Sequence, residues 1–145
     1  HTARSGDYAY EMVDDEARLV SEGLKNPYKF VALGESRDPR FAGLLGRIAP
    51  LSMSISSSRD DNVEVMMPGV DKGSALKFLA DRLGIPRSKV MAFGDNTNDL
   101  PMLNFAGVSV AMENGEPEVR SAAKWIAPHH AMGGVGKLLY ERVLT

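Results

Sequence analysis

The fold of this chain is decided by the stretch KVMAFGDNTNDLP, residues 89–101. A short apolar run ends at Gly94, and a polar loop then leads to Pro101. An apolar run of this length is typical of a strand that is buried on both faces of a parallel sheet. Because proline is tolerated only in the first turn of a helix, the next helix should begin close to Thr97 or Asn98. We therefore expect a buried strand from Lys89 to Phe93, a tight loop and then a helix.

Strand and helix patterns alternate on both sides of this stretch. Upstream, Asp71 can cap a helix that stops at Gly84. The apolar residues of that helix recur at helical spacing: Ala75, Leu76, Leu79 and Leu83. Downstream, the pattern predicts a strand, a helix, a strand and a helix in turn, at 107–111, 116–123, 124–127 and 134–143. This order predicts an α/β fold with a parallel sheet and right-handed crossovers.

The first 66 residues carry a different pattern. A β-rich strand at 28–33 precedes an amphipathic helix at 39–48. Two alternating runs, 51–55 and 63–66, predict a β-hairpin that is half buried on its Leu, Met, Ile and Val side chains. Residues 1–26 are polar and weakly patterned. Their acidic run is interpreted as a solvated helix face, formed by Glu11, Asp14, Asp15 and Glu16.

Length and composition exclude several classes of protein. A chain of 145 residues can form one or two compact units. With 43% hydrophobic and 25% charged residues, it is not a disordered, collagen-like or coiled-coil sequence. The net charge of -2 provides no basic field, so nucleic acid is not expected as a partner. Because there are no cysteines, a disulfide framework, a Cys-ligated metal site and a thiol nucleophile are excluded.

The apolar stretches of the sequence are too short to span a membrane, so we do not expect a membrane as a partner. The longest ones, such as 90–93, contain only a few residues, whereas a spanning helix needs about 20. The first seven residues lack the apolar core of a signal peptide. Since the absence of cysteines leaves the compartment open, a cytoplasmic location is the default expectation.

The polar loop after residue 93 is the main candidate for chemistry, because ligands of open α/β sheets bind at the carboxyl ends of the strands. It holds two carboxylates and two carboxamides within five residues: Asp95, Asn96, Asn98 and Asp99. Such oxygen ligands suit Mg²⁺, which usually takes one or two carboxylates and keeps several waters. The alternative is a helix-capping loop with no further role. A calcium EF-hand is excluded, because Leu100 and Ala106 occupy positions that need Gly and Glu.

Other candidate residues lie outside this loop. Lys72, at the start of the preceding helix, could share a phosphate oxygen with helix N–H groups, or could be an ordinary surface lysine. The serines at 52, 54 and 56–58 lack the Gly-x-Ser-x-Gly context of a nucleophile and are interpreted as structural. His129 and His130 are adjacent in sequence, so we interpret them as lining a loop rather than binding a metal.

Three segments together carry a resemblance to a known family. They are DKGSAL at 71–76, FGDNTNDLPML at 93–103 and AGVSVAMEN at 106–114. In combination they resemble the C-terminal half of Cof-type phosphatases of the haloacid dehalogenase superfamily. The resemblance implies that residues 68–145 form the C-terminal part of a Rossmann-like α/β core. It also implies that residues 1–67 form the C-terminal part of an α/β cap domain.

The resemblance assigns a role to each candidate residue. Lys72 would hold the substrate phosphate and screen the charge of the nucleophile, and Asn98 would contact the phosphate. Asp95 would ligate Mg²⁺, and Asp99 would orient Lys72 or a metal-bound water. The implied reaction is hydrolysis of a phosphomonoester through an aspartyl-phosphate intermediate. The implied substrate is a sugar phosphate or a similar small phosphorylated metabolite.

The chain also departs from the family pattern. The family's nucleophile and general acid/base belong to an Asp-x-Asp motif, which this chain does not contain. Glu113 replaces a common glycine, and His129-His130 replaces a stretch usually richer in Asn and Asp. We therefore expect a fragment that is inactive alone and that self-associates or pairs with a missing N-terminal part. The alternative is a complete, non-catalytic α/β module that binds a phosphorylated ligand or a partner protein.

Overall fold

The computed structural model of this chain describes residues 2–5, 8–11, 28–33, 39–57 and 62–144. Strands β1 (Thr2–Ser5) and β2 (Tyr8–Glu11) pair antiparallel with each other. The predicted helix face is therefore wrong at Glu11, since tyrosines at alternate positions of β2 favour extended backbone. The rest of the acidic run, residues 14–16, lies outside the described residues.

A second region contains an antiparallel sheet of three strands. Its elements in chain order are β3 (Phe30–Leu33), helix α1 (Pro39–Ile48), β4 (Ser54–Ser56) and β5 (Asn62–Met66). The strand order is β3-β5-β4, so β5 lies in the middle. The predicted strand, helix and hairpin are confirmed. The pairing of β3 with β5 was not predicted from the sequence.

Strands and helices then alternate to the end of the described residues. The elements are α2 (Lys72–Arg82), β6 (Met91–Gly94), α3 (Leu100–Phe105), β7 (Val108–Met112), α4 (Pro117–Ala122), β8 (Trp125–Ala127) and α5 (Gly134–Arg142). Strands β6, β7 and β8 pair in that order, and both pairings are parallel. The predicted α/β fold with a parallel sheet is confirmed. None of the helices described is long and apolar enough to cross a membrane.

The core of this region lies on both faces of the parallel sheet. Successive residues of β7 belong to two different clusters, because successive side chains of a strand point to opposite faces. Ala111 packs with Leu103 of α3 and Val119 of α4, all buried. Val110 packs on the other face with Leu138 of α5. Helices therefore cover both faces and hold the carboxyl ends of the three strands at one edge.

Helix α2 begins at the predicted cap. The Asp71 carboxylate accepts the backbone N–H of Ser74 at 2.7 Å, and the Ser74 hydroxyl accepts the backbone N–H of Asp71 at 2.9 Å. This reciprocal pair fixes the first turn of the helix. The chain leaves α2 through Gly84, whose φ of +66° favours glycine. The cap places Lys72 in the first turn, next to the loop that follows β6.

Several predicted details are corrected by the structure. Lys89 lies in a short 3-10 turn before β6, and Met91 and Phe93 are half-buried because β6 is an edge strand among the described strands. Residues 97–99 form a single 3-10 turn, so the α-helix itself begins at Leu100, with Pro101 in its first turn.

The apolar face predicted for α2 is only partly buried. Leu79 and Leu83 are exposed, because the close contact with α3 is made by smaller residues, Gly73 and Ala80. In the hairpin, Leu51 lies in a 3-10 turn before β4 and is exposed, and Ile55 is also exposed. The predicted burial holds for Val65 of β5.

The contact between α2 and α3 provides a test of this packing. A Cβ atom at Gly73 would lie 2.5 Å from the carbonyl oxygen of Pro101. Since backbone has to move, we expect Gly73→Ala to lower the free energy of unfolding by about 1–3 kcal/mol in urea denaturation. Gly46→Ala in α1 is the matched control, because a Cβ there meets nothing within 4 Å. The control should be stabilised by roughly 0.5–1 kcal/mol. A Gly73→Ala protein at least as stable as the original would contradict the close packing.

Candidate active site

Asp99 lies at the centre of the candidate site. The residue lies in the 3-10 turn after β6 and is buried, with only 4% of its surface exposed. Its Oδ2 accepts the backbone N–H of Asp95 at 2.9 Å and that of Asn96 at 3.1 Å. Its Oδ1 accepts a hydrogen bond from the ammonium of Lys72. The Asp99 carboxylate therefore holds the backbone of the loop after β6 and connects this loop to α2.

This arrangement requires glycine at the end of β6. A Cβ atom at Gly94 would lie 2.5 Å from the Cβ of Asp99. Any larger residue would push the carboxylate away from the two N–H groups that it accepts. The glycine noted in the sequence is therefore needed for close approach of the Asp99 side chain.

Lys72 connects two residues of the loop. In addition to its bond with Asp99, its Nζ donates to Oδ1 of Asn98 at 3.1 Å. The Lys72 side chain is 49% exposed, whereas that of Asp99 is 5% exposed. Asp99 and Asn98 thus hold the ammonium in place, while the Lys72 side chain stays accessible to a ligand. A fixed cation at this edge of the sheet can bind an anion such as phosphate.

Asp95 is held by the loop that follows β7. Its carbonyl accepts the N–H of Glu116 at 2.8 Å, and its Oδ2 accepts from Nδ2 of Asn114 at 3.4 Å. Oδ1 of Asn114 in turn accepts the backbone N–H of His130 at 3.0 Å. The loops after the three parallel strands are therefore joined around Asp95.

The sequence analysis assigned no role to Glu113 and Asn114, although both make contacts at this site. Glu113 accepts the backbone N–H of His129 at 3.0 Å, so Glu113 and Asn114 together fasten the loop after β8. The signal that could have found them is their position directly after β7, at the same edge of the sheet as residues 94–99. The rings of His129 and His130 stack at 4.6 Å, in the loop where we expected them.

The loop carboxylates differ in their capacity to bind a metal. The carboxylate of Asp99 accepts three hydrogen bonds, one at Oδ1 and two at Oδ2, so most of its acceptor capacity is used within the protein. Asp95 receives one long hydrogen bond from the described residues. No group of three or more His, Cys, Asp or Glu side chains in the described ranges could hold a metal. A single carboxylate ligand still fits Mg²⁺, which keeps several waters and also binds substrate phosphate.

The pKa of Asp99 reflects opposing effects. Burial raises the pKa of this carboxyl, because the charged form loses water. The hydrogen bonds from Lys72, Asp95 and Asn96, together with the positive charge of Lys72, outweigh burial and hold the pKa below its usual value of 3.8. Asp99 is therefore ionised at neutral pH and keeps Lys72 in its charged pair.

A cavity of about 400 Å³ opens next to Lys72 and Asn98. Thr97 and Pro101 line it from the same side. The antiparallel sheet lines it from the other side, with these residues: Lys29, Ser54, Ile55, Ser56, Ser57, Glu64 and Met66. A ligand bound at Lys72 would therefore extend toward this sheet.

Comparison with known proteins agrees with the observed fold. A model of the haloacid dehalogenase-like hydrolase family matches residues 7–139. A Haemophilus influenzae protein is 35% identical over 118 residues, which are 81% of this chain and 45% of that protein. A 5-amino-6-(5-phospho-D-ribitylamino)uracil phosphatase of Bacillus subtilis is 39% identical over 79 residues, 54% of this chain and 29% of that enzyme.

Solved structures show the same likeness. A haloacid dehalogenase-like hydrolase from Bacillus subtilis matches with a TM-score of 0.78 and 26% identity, covering 90% of this chain and 46% of that one. The matched part of the chain thus spans less than half the length of each of these three proteins.

The lowered pKa of Asp99 predicts how stability depends on pH. A carboxyl whose pKa is lower in the folded state stabilises the protein above its unfolded pKa, and this contribution is lost as the pH falls through the folded pKa. We expect Asp99→Asn to lower the free energy of unfolding at pH 7 by roughly 1–3 kcal/mol. The difference from the original protein should shrink as the pH falls below 3.8. Urea denaturation from pH 3 to 7 measures it, and a difference that does not change with pH would contradict the assignment.

Proposed function

The chain belongs to the haloacid dehalogenase-like hydrolase family, and from that premise we propose that it is the C-terminal part of a Mg²⁺-dependent phosphomonoester hydrolase. Its substrates would be sugar phosphates or similar small phosphorylated metabolites. Residues 68–145 would belong to the core, and residues 1–67 to the cap. The observation that carries the proposal is Lys72, fixed by Asp99 and Asn98 beside Asp95.

Phosphate binding is proposed for Lys72 and Asn98. The Lys72 side chain is about half exposed, while Asp99 and Asn98 fix the position of its ammonium. Since Oδ1 of Asn98 accepts from Lys72, the donor that this side chain offers to an anion is its amide Nδ2. A cation and an amide donor together can hold two phosphate oxygens as charge develops on them.

Mg²⁺ binding is proposed for Asp95. When bound, the ion would neutralise phosphate charge and act as a Lewis acid on a phosphate oxygen. Asn114 keeps the Asp95 carboxylate oriented from one side, and Glu116 holds its backbone from another. Asp99 does not ligate in this proposal, because its oxygens already accept from Lys72 and from two backbone N–H groups.

The nucleophile is proposed to come from a part of the protein outside these residues. The chain contains no Asp-x-Asp, and among the described strands β6 pairs only with β7. A further parallel strand on the open edge of β6 would end beside Lys72 and Asp95. An aspartate there would attack phosphorus and break its bond to the ester oxygen, and the second aspartate of an Asp-x-Asp motif would protonate the departing alcohol. That second aspartate would then take a proton from the water that attacks the phosphorus of the aspartyl-phosphate, which releases inorganic phosphate and the free carboxylate. The chain alone would then be inactive.

The absence of Asp-x-Asp also favours one alternative. A module that retains Lys72 and Asn98 could bind a phosphorylated ligand or a partner protein without turning it over. Catalysis by the full-length protein distinguishes the two functions.

The proposed function predicts a metal-dependent activity. We expect the full-length protein to hydrolyse p-nitrophenyl phosphate with Mg²⁺ and to lose this activity with excess EDTA. Asp95→Asn should lower kcat/KM by about 100-fold or more, since it removes the carboxylate that would hold the ion. Asp81→Asn is the control, because that surface carboxylate pairs only with Lys77 among the contacts described. Full activity of Asp95→Asn would contradict the proposal. Phosphate binding without turnover would favour the binding module.

The open edge predicts association of the isolated chain. Apolar side chains of α2, the helix that precedes this strand in the chain, are also exposed, among them Phe78, Leu79 and Leu83. Exposed apolar surface and an unpaired strand promote self-association. We expect the 145-residue chain to sediment as oligomers at micromolar concentration, and Phe78→Ser to reduce them. Tyr28→Ser, at another exposed ring, is the control and should leave association unchanged. A single, stable monomer would contradict this expectation.

A further inference from the structure

The loop after β8 is tied to the loop after β7 by two side chains in succession. Oε2 of Glu113 accepts the backbone N–H of His129 at 3.0 Å. Oδ1 of Asn114 accepts the backbone N–H of His130, also at 3.0 Å. Two neighbouring acceptors thus hold two neighbouring donors, so the loops cannot slide past each other without losing both hydrogen bonds.

The bond from His130 decides which end of the Asn114 amide faces Asp95. An asparagine amide carries an acceptor oxygen at one end and an NH₂ donor at the other. Because Oδ1 of Asn114 accepts from His130, Nδ2 is the atom that faces Asp95, and it donates to Oδ2 at 3.4 Å. Without the His130 N–H, the amide would be free to rotate and to bring its oxygen toward the Asp95 carboxylate, where two acceptors repel. The loop after β8 therefore fixes the partner of Asp95.

The backbone of the loop after β7 lies directly against Asp95. The Glu116 N–H donates to the Asp95 carbonyl at 2.8 Å, and a Cβ atom at Gly115 would lie 3.1 Å from the Cα of Asp95. Asp95 is exposed, so its carboxylate can meet an ion from solvent. Because the two backbones are this close, a rotation of the Asn114 amide acts on the Asp95 carboxylate directly.

These contacts connect Glu113 to Asp95 through Asn114. We propose that Glu113 is a positioning residue for the divalent cation at Asp95, in an inference that rests on the proposed function. Glu113 holds the loop after β8 where its next N–H fixes the Asn114 amide, and that amide orients the Asp95 carboxylate. Removing a group that orients a metal ligand commonly lowers metal affinity by about 10- to 100-fold. Glu113 thus controls the affinity for the cation without being a ligand.

Two other roles of Glu113 make different predictions. If its negative charge attracts the cation, then Glu113→Gln should weaken cation binding as much as Glu113→Ala does. If Glu113 only stabilises the fold, its loss should not depend on Asn114. Glutamine keeps an oxygen that accepts the N–H of His129, so positioning predicts that Glu113→Gln behaves like the original protein.

Binding of Mn²⁺ to the full-length protein tests the inference without relying on turnover. Mn²⁺ suits the same oxygen ligands as Mg²⁺, and electron paramagnetic resonance of the free ion gives the Kd. We expect Glu113→Ala to raise the Kd by about threefold to tenfold, and Asn114→Ala by about 10-fold or more. Glu113→Gln should stay within about twofold of the original protein, since it keeps the hydrogen bond. Glu118→Ala, the same change at an exposed position of α4, is the matched control and should leave the Kd unchanged.

The double variant separates positioning from a loss of stability. Because Glu113 acts through Asn114, Glu113→Ala should not raise the Kd further once Asn114 is replaced by alanine, whereas independent losses would add. Glu113 is exposed, so its alanine and glutamine variants should fold even if Asn114→Ala does not.

Mg²⁺ activation of p-nitrophenyl phosphate hydrolysis gives a second readout. In Glu113→Ala, the Mg²⁺ concentration for half-maximal activity should rise by the same factor as the Kd for Mn²⁺. The kcat at saturating Mg²⁺ should stay within about twofold, because a positioning residue for the cation affects how tightly it is held.

Each outcome has a defined meaning. A Kd that rises in Glu113→Ala, is restored in Glu113→Gln and rises no further in the double variant supports positioning. An unchanged Kd in Glu113→Ala, an equal loss in Glu113→Gln, or additive losses in the double variant would overturn it. If the original protein does not bind Mn²⁺, or if Asp95→Asn binds it equally tightly, the proposed metal role of Asp95 itself fails, and the inference fails with it.

Discussion

Three donors converge on the carboxylate of Asp99, and the rest of the site depends on that convergence. The backbone N–H groups of Asp95 and Asn96 fix the loop after β6, and the Lys72 ammonium ties it to α2. A buried charge is tolerated because all of its donors are present. The same closeness explains Gly94, where a side chain would collide with Asp99. Lys72 is consequently held at the carboxyl edge of the sheet.

Parallel strand order brings the remaining residues to this edge. Because β6, β7 and β8 run in the same direction, the loops that follow them are neighbours. Asn114 from the second loop reaches Asp95, and the third loop donates a backbone N–H to Asn114. The antiparallel sheet then closes the cavity from the opposite side with Glu64. One region thus carries the Lys72 ammonium, at which we propose that phosphate binds, and the other region lines the far side of the same cavity.

Local features of this structure could be predicted from the sequence, and distant pairings could not. The cap at Asp71, the loop after β6 and the parallel order all follow from neighbouring residues. The pairing of β3 with β5 joins segments about thirty residues apart, and the Lys29–Glu64 contact spans 35 residues. The hairpin was expected to be buried on its Leu, Met, Ile and Val side chains, and alternation along β5 does not predict that Glu64, between two valines, is buried as well. Glu113 and Asn114 accept hydrogen bonds from the backbone N–H groups of residues 16 positions further along the chain. No local sequence pattern reveals such contacts.

The roles of Lys72, Asn98 and Asp95 are tested most directly by a crystal structure of the full-length protein with Mg²⁺ and inorganic phosphate. We expect phosphate oxygens within hydrogen-bonding distance of Lys72 Nζ and Asn98 Nδ2, and the ion bound to the Asp95 carboxylate. Asp99 should still accept from Lys72 and from the N–H groups of Asp95 and Asn96. Phosphate bound away from Lys72, or the ion bound to Asp99 in place of Asp95, would contradict this assignment of the site.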